Sequence, residues 1–215
     1  MKQATRISSE LQARAIQWKG LVNFAWRKSF AGQAIRDDAP SATVYSMTGG
    51  RLEIPRISMD NINEVQQTIS SYLKGPLTAQ TSEEAHIYVC THRERDCRCG
   101  SMGRLVVDAL EKELETRLAQ DPTGPFSRIK IGEVGHVGGH KHAANMLVFP
   151  HGEWLGQLRP RDASFILDRI VSAPFSPASP DQLPDWGNHW RGRMGLQKQT
   201  QKDLWKVSCG DRVSS

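Results

Sequence analysis

The sequence has no apolar run long enough to cross a membrane. A spanning helix needs about 18 to 20 consecutive apolar residues, whereas a typical apolar stretch here, residues 146–149, has only the length of a buried strand. Residues 1–30 also lack a compact apolar segment followed by a small-residue cleavage site. We therefore expect neither a membrane span nor secretion.

Cysteine is scarce and unevenly placed. Only four cysteines occur in 215 residues, and Cys90, Cys97 and Cys99 fall within one stretch of ten. A secreted domain held by disulfides carries its cysteines spread along the chain. The pattern instead favours a reducing compartment or a thiol-based metal site, and we expect a mitochondrial matrix or cytoplasmic location.

Acidic residues are almost absent from residues 1–36. Glu10 stands there against seven basic residues, a net charge of +6, and since the whole chain carries +5 the remainder is about −1. Apolar residues recur there every three or four positions: Ile7, Leu11, Ala15, Trp18, Val22 and Ala25. Such a basic amphipathic segment is typical of a mitochondrial presequence, with cleavage near residue 36, and also of an ordinary surface helix or a disordered basic arm. The near-neutral remainder gives no reason to expect nucleic-acid binding.

The hydrophobic pattern beyond the basic arm predicts an α/β fold. Residues 85–171 read as strand, helix, strand, strand, helix, which is the order of the second half of a thioredoxin-like sheet. The last two strands are joined by a short turn and should be antiparallel, so the sheet is mixed. The predicted strands are 44–47, 52–57, 85–89, 128–131, 146–149 and 153–158, and the predicted helices are 61–73, 104–120 and 163–171.

This pattern divides the chain into four parts. The basic arm, residues 1–36, precedes a thioredoxin-like domain at residues 40–171. Residues 172–185 contain four prolines and are expected to form an extended connector. Residues 186–215 form a tail rich in tryptophan, whose large apolar side chains need a surface to cover.

Four potential metal ligands lie in two short segments. Cys90 follows a predicted strand and is separated from Cys99 by a polar, arginine-containing stretch, while His136 and His140 bracket glycines. Two thiolates and two imidazoles are the ligand set of a Cys2His2 zinc site or of a histidine-ligated 2Fe-2S cluster. Each residue alone would more often be a buried inert cysteine or a solvated histidine; their combination favours a metal centre.

Two further readings use the same segments. A structural zinc module would present a binding surface through the same four ligands. A thiol oxidoreductase would use Cys97 and Cys99, although no C-x-x-C motif is present. The residues alone leave zinc and iron open and do not establish whether the chain is an enzyme.

The segments VCTHRERDCRCG, GHVGGHKHAANMLVFPHGEWLGQLRP and HWRGRMGL resemble the sucrase/ferredoxin-like family of thioredoxin-like 2Fe-2S proteins, which includes fungal proteins of mitochondrial-inheritance and actin-patch type. The resemblance spans about residues 85–196 and is strongest over 85–171. It implies a 2Fe-2S cluster held by Cys90, Cys99, His136 and His140, in an electron carrier or redox sensor with electron donor and acceptor proteins that are not identified. Six neighbouring residues are expected to support the ligands: His92, Arg95, Asp96, Gly138, Gly139 and Lys141.

The chain departs from the family pattern at two positions. His142 stands where the family usually has an aromatic residue, and Ala144 where it usually has glycine. No pair of carboxylates stands out that would support sugar hydrolysis, so a sucrase activity is not expected. Histidine ligation implies a reduction potential above the roughly −400 mV of plant-type ferredoxins. It also implies a potential that changes with pH between about 6 and 9.

Overall fold

A mixed sheet of six strands carries the candidate ligands. The computed structural model describes residues 2–26, 40–47, 50–75, 82–92 and 97–209. The strands of this sheet are β1 (Ala25–Trp26), β4 (Ala85–Cys90), β5 (Ile129–Val134), β6 (Met146–Phe149), β7 (Glu153–Leu155) and β8 (Trp190–Arg193). A separate hairpin pairs β2 (Ala42–Ser46) with β3 (Gly50–Ile54). The helices are α1 (Lys2–Ala15), α2 (Ile62–Lys74), α3 (Cys97–Gln120), α4 (Ala163–Val171) and α5 (Lys198–Cys209).

The strand order confirms the predicted fold class. The order is β1-β5-β4-β6-β7-β8, with β4 and β5 parallel and the other neighbours antiparallel. Helix α3 connects the parallel pair, because parallel neighbours need a long crossover. The central order β5-β4-β6-β7, followed by α4, is a thioredoxin-like arrangement. The strands predicted at residues 85–89 and 146–149 and the helix at 163–171 lie within a residue of the observed elements.

Strand β4 lies at the centre of the main core. Every residue of β4 is buried, which is typical of a strand covered on both faces. Helices α3 and α4 present their apolar sides to the sheet, and α3 is stabilised there by Val106, Val107, Leu110 and Leu114. This packing fixes the end of β4 at which Cys90 stands.

Helix α3 begins earlier than the sequence indicated. Residues 91–103 were predicted as a loop, but the helix starts at Cys97, so that prediction is wrong for its second half. The apolar stripe that predicts the helix begins only at Leu105. Gly103, in the added turns, permits close contact, because a Cβ atom there would lie 2.1 Å from the carbonyl oxygen of Cys90.

The N-terminal residues form a second apolar core with the hairpin and α2. Ile7 and Leu11 of α1 pack against Ile54, Ile57 and apolar residues of α2. The predicted apolar stripe continues to Ala25, but α1 ends at Ala15 and Ala25 belongs to β1. The presequence reading of residues 1–36 stays a prediction, and residues 27–36 lie outside the described part of the chain.

Residues beyond 171 extend the sheet and complete the core. Trp190 begins β8, is 1% exposed, and donates an Nε1 hydrogen bond of 2.7 Å to Glu153 Oε2. Phe175 of the proline-rich connector and Trp186 also join the main core. Among the described residues no helix combines the length and the apolar character that a membrane span requires.

Candidate metal centre

The two predicted cysteine ligands lie side by side in the fold. Cys90 ends β4, and Cys99 lies in the first turn of α3, where the close contact at Gly103 holds the helix against the strand. Both side chains are completely buried and neither is in a disulfide. They share an apolar cluster with Tyr88 and Val134. The fold therefore places two thiols, neither of them in a disulfide, in one water-poor apolar cluster.

The two predicted histidine ligands follow β5 on a loop that borders the same cluster. His136 lies between Val134 and Val137, and both valines pack with the cysteines. The rings of His136 and His140 are stacked with their centroids 5.9 Å apart. His140 opens a short 3₁₀ turn, His140–His142, and is exposed to solvent. The imidazoles thus form a pair at the solvent side of the buried thiols.

The loop between the two histidines depends on glycine. Gly138 and Gly139 have φ angles of 87° and 61°, a left-handed backbone that favours glycine. A Cβ atom at Gly139 would also lie 2.6 Å from Cζ2 of Trp154, so the indole occupies the space beside the loop. These two glycines, predicted to support the site, set the positions of both imidazoles.

Two asparagines hold the site together, and neither was predicted to do so. Asn145 donates from Nδ2 to Gly139 O at 3.0 Å, and its backbone oxygen accepts the N–H of Cys90 at 2.9 Å. Asn23 donates from Nδ2 to His136 O at 3.1 Å. Asn145 closes the family motif, which was a usable signal. Nothing in the sequence around Asn23 indicated its role, because the contact joins residues 113 positions apart.

The remaining residues expected to support the ligands have different positions. The ring of His92 lies 6.4 Å from that of His136, and its Nδ1 is buried without a hydrogen-bond partner. Lys141 is exposed beside His140. Arg95 and Asp96 lie outside the described residues.

A buried carboxylate stabilises the strand ends beneath the ligands. Glu133 of β5 is 5% exposed and accepts a 2.7 Å hydrogen bond from Thr91 Oγ1. Its other oxygen accepts from Arg104 Nη1 of α3 at 2.6 Å. These contacts connect the residue after Cys90, the strand before His136 and the helix that carries Cys99.

Cys97 and Cys99 do not form a facing thiol pair. Cys97 is exposed whereas Cys99 is buried, although both lie in the first turn of α3. Residues two positions apart on a helix point about 200° away from each other. This geometry disfavours the oxidoreductase reading, which requires the two sulfurs to meet.

His142 is the third imidazole near the site. Burial lowers the pKa of His142 below its ordinary value, and the positive charges of Arg191 and Lys141 lower it further. A depressed pKa keeps this ring neutral at physiological pH. Its Nδ1 is buried without a hydrogen-bond partner.

The four candidate ligand side chains are arranged as two pairs. Within the described part of the chain, no three His, Cys, Asp or Glu side chains converge closely enough to hold one metal ion. The thiols share one apolar cluster and the two imidazoles stack on each other. A site for a single ion would need further movement of these side chains.

Relatives of the chain include fungal proteins. It is 39% identical over 88 residues to "Altered inheritance of mitochondria protein 32" of Meyerozyma guilliermondii, covering 40% of this chain and 29% of that protein. It is 31% identical over 152 residues to "Actin patches distal protein 1" of Saccharomyces cerevisiae, covering 68% of this chain and 45% of that protein. The chain thus spans less than half the length of either relative.

Among solved structures, the chain is similar to a thioredoxin-like 2Fe-2S ferredoxin from Aquifex aeolicus. The TM-score is 0.36 and the identity 24%, covering 42% of this chain and 82% of that one. The sucrase/ferredoxin-like family model matches residues 14–192, which include most of both cores and all four predicted ligands. The chain belongs to the sucrase/ferredoxin-like family.

Proposed function

We propose that the chain binds one 2Fe-2S cluster through Cys90, Cys99, His136 and His140 and works as a one-electron carrier or redox sensor. The observation that carries this proposal is the pair of fully buried thiols in one apolar cluster, neither of them in a disulfide, with the two histidines on a loop anchored in the same cluster. When bound, the cluster would supply one-electron chemistry.

The paired arrangement supports a two-iron group over a single zinc ion. Each iron of a 2Fe-2S cluster takes two protein ligands, so the donors are needed in pairs. A structural zinc ion needs four ligands that converge on one point. The thiol pair and the stacked imidazole pair match the first requirement better.

The chain's own residues would set the properties of such a centre. Tyr88, Val134 and Val137 pack around the cysteines and limit the access of water to sulfur. Two neutral imidazoles in place of two thiolates reduce the negative charge at the centre. A smaller negative charge favours the reduced state, so we expect a potential above about −400 mV.

The location of the protein is part of the proposal. Curated relatives are named for altered inheritance of mitochondria, and the N-terminal region is basic and amphipathic. We place the chain in mitochondria, with the cytoplasm as the alternative. Fractionation of cells that express the full chain with a C-terminal tag would distinguish the two locations.

Spectroscopy and metal analysis of anaerobically purified protein test the ligand assignment. We expect two irons and two sulfides per chain, visible absorption, and an EPR signal after reduction. Cys90→Ser and Cys99→Ser should each lose most of the iron. His136→Cys and His140→Cys should keep iron but shift the absorption and EPR spectra, because a thiolate donates more charge than an imidazole.

Matched variants complete the experiment. Cys97→Ser changes an exposed thiol of the same helix turn and should leave the spectra unchanged. His142→Phe removes the neighbouring imidazole and should also retain the wild-type spectra. A colourless protein with stoichiometric zinc would refute the proposal, and unchanged spectra in both His136→Cys and His140→Cys would overturn the histidine assignment.

A further inference from the structure

Acidic side chains are few in the described segments near the candidate centre, and each has a hydrogen-bond partner. The segments 97–104, 133–143, 157–162 and 189–193, which form this end of the sheet, contain seven Lys or Arg residues and two acids. One acid, Glu133, is 5% exposed and bonded to Arg104. The other, Asp162, accepts the backbone N–H of Arg159 at 2.8 Å. Within the described part of the chain, little negative charge therefore faces the solvent at this end of the sheet.

Most cations at the same end are exposed, although Arg191 is half-buried. Lys141 follows His140, and Arg98 precedes Cys99. Arg159 is exposed and donates from Nη1 to Ala143 O at 3.0 Å, beside the histidine loop. Arg191 lies close enough to His142 to affect its charge. We name these four residues the basic face: Arg98, Lys141, Arg159 and Arg191.

The basic face surrounds the exposed edge of the candidate centre. Cys90 and Cys99 are completely buried, so a partner cannot approach the thiols directly. His140 is exposed and lies next to Lys141. The side of the centre that carries the histidines is therefore the shorter path for an electron between the centre and a second protein. Positive charge around such a route attracts partners of the opposite sign and speeds their association.

We propose that the basic face is the docking surface for an electron-transfer protein with an acidic surface. The inference rests on the proposed function, because it names the partner of the same centre. Complementary charge increases the association rate and fixes the orientation of the two proteins, whereas the contact area of such transient complexes is small. The exposed imidazole of His140 would then face the partner.

Charge reversal on the full chain, loaded with its cluster, tests this surface. The probes are the soluble domain of cytochrome b5, an acidic haem protein, and basic cytochrome c. One electron passes from the dithionite-reduced chain to the ferric haem, and stopped-flow absorbance gives the rate. Lys141→Glu with Arg159→Glu should slow the reaction with the acidic protein about tenfold or more at low salt. High salt should remove most of this difference.

Two further variants keep the test interpretable. Lys141→Glu alone leaves the Arg159 hydrogen bond to Ala143 in place and should show a smaller slowing in the same direction. Lys112→Glu reverses an exposed charge on the same helix as Arg98. It lies about 21 Å further along the helix and should leave the rate unchanged. Equal rates with cytochrome b5 in wild type and double variant, or a slowing with basic cytochrome c as large as that with cytochrome b5, would overturn the inference.

Calorimetric binding of cytochrome b5 to protein prepared without iron separates this inference from the proposed function. Salt-sensitive binding that is lost in the double variant supports the docking surface even if the chain proves to hold no cluster. A cluster with wild-type spectra but no charge-dependent binding contradicts the docking surface alone. At roughly 150 mM salt the Debye length is about 8 Å. Tighter binding under this condition to single-stranded RNA or to phosphatidylserine vesicles than to cytochrome b5 would show that the partner class is wrong.

Discussion

Gly103 connects the two cysteines through a backbone contact. Any Cβ atom there would lie 2.1 Å from the Cys90 carbonyl oxygen, and a backbone atom cannot rotate away. We expect Gly103→Ala to lower the free energy of unfolding by about 1–3 kcal/mol, measured by urea denaturation. Leu105→Ala changes an exposed residue of the same helix and should cost about 0.5 kcal/mol or less. Equal stability of the two variants would contradict the close packing.

His151 should make stability depend on pH. Burial, with a smaller contribution from the positive charge of Arg193, lowers the pKa of His151 from 6.5 to about 4. The unfolded chain then binds this proton at a higher pH than the folded chain, so stability falls as pH drops from about 6.5 toward 4. We expect a loss of about 2 kcal/mol between pH 7.5 and 5. In His151→Phe this pH-dependent loss of stability should disappear. A decline in stability as steep as in the wild type would show that other groups cause it.

The sequence singled out the candidate ligands more readily than the residues that surround them. Cys90, Cys99, His136 and His140 stood out because thiols and imidazoles rarely combine by chance in two short segments. The roles of Asn23 and Trp154 depend on contacts between distant segments, which no local pattern encodes. Gly138 and Gly139 belong to the predicted supporting residues that the structure describes. Both have a clear physical function, since their φ angles favour glycine.

At the scale of elements, regular apolar spacing gave reliable positions where a helix faces the core along its whole length, but it did not mark the start of α3. The pattern at residues 163–171 predicted α4 because its apolar side faces the core. The start of α3 was misplaced because the apolar stripe that predicts the helix begins only at Leu105, whereas the helix itself begins at Cys97. Strand β8 was missed because its sequence, WRGR, has little strand character apart from Trp190.

Strand β8 is connected to β7 by a buried ion pair. Arg193 donates from Nη2 to Glu153 Oε1 at 2.7 Å, and both side chains are almost completely buried. Burial raises the pKa of Glu153 while Arg193 opposes that rise. Because Arg193→Met leaves a carboxylate without its cation, we expect unfolding by urea to become easier by about 3–5 kcal/mol.

Two comparisons test the Arg193 prediction. The double variant Glu153→Met with Arg193→Met removes both charges and should be less destabilised than Arg193→Met. Arg117→Met breaks an exposed contact of 2.9 Å to Asp168 between α3 and α4, and an exposed pair contributes about 1 kcal/mol or less. If Arg193→Met were no more harmful than Arg117→Met, the ion pair would not anchor β8.

At the scale of the whole molecule, net charge gave an incomplete description of the surface. Residues after 36 are nearly neutral in sum. Yet Glu133 and Glu153 are buried in contact with Arg104 and Arg193, so their charges do not reach the solvent. Each pair cancels one positive and one negative charge, and among the described residues near the histidine loop exposed cations outnumber exposed acids. These two ion pairs join side chains that are separated by 29 and by 40 positions in the sequence, so composition cannot reveal them.

The two apolar cores are connected beside the candidate centre. Tyr45 of the hairpin stacks on Phe149 of β6 with centroids 4.0 Å apart. Arg51 bonds to Glu84 at 3.0 Å, just before β4. Both aromatic rings also border the apolar cluster of Cys90 and Cys99. Few side chains therefore separate the hairpin from Cys90 and Cys99.

The packing of Trp154 against Gly139 also gives the molecule an intrinsic optical reporter. The indole ring lies against the loop that carries both histidines. Light emitted by tryptophan overlaps the near-ultraviolet absorption of iron-sulfur chromophores, and energy transfer is efficient over such short separations. Trp154 would therefore fluoresce weakly in the loaded protein and brightly once iron is lost, so that occupancy could be followed without a label.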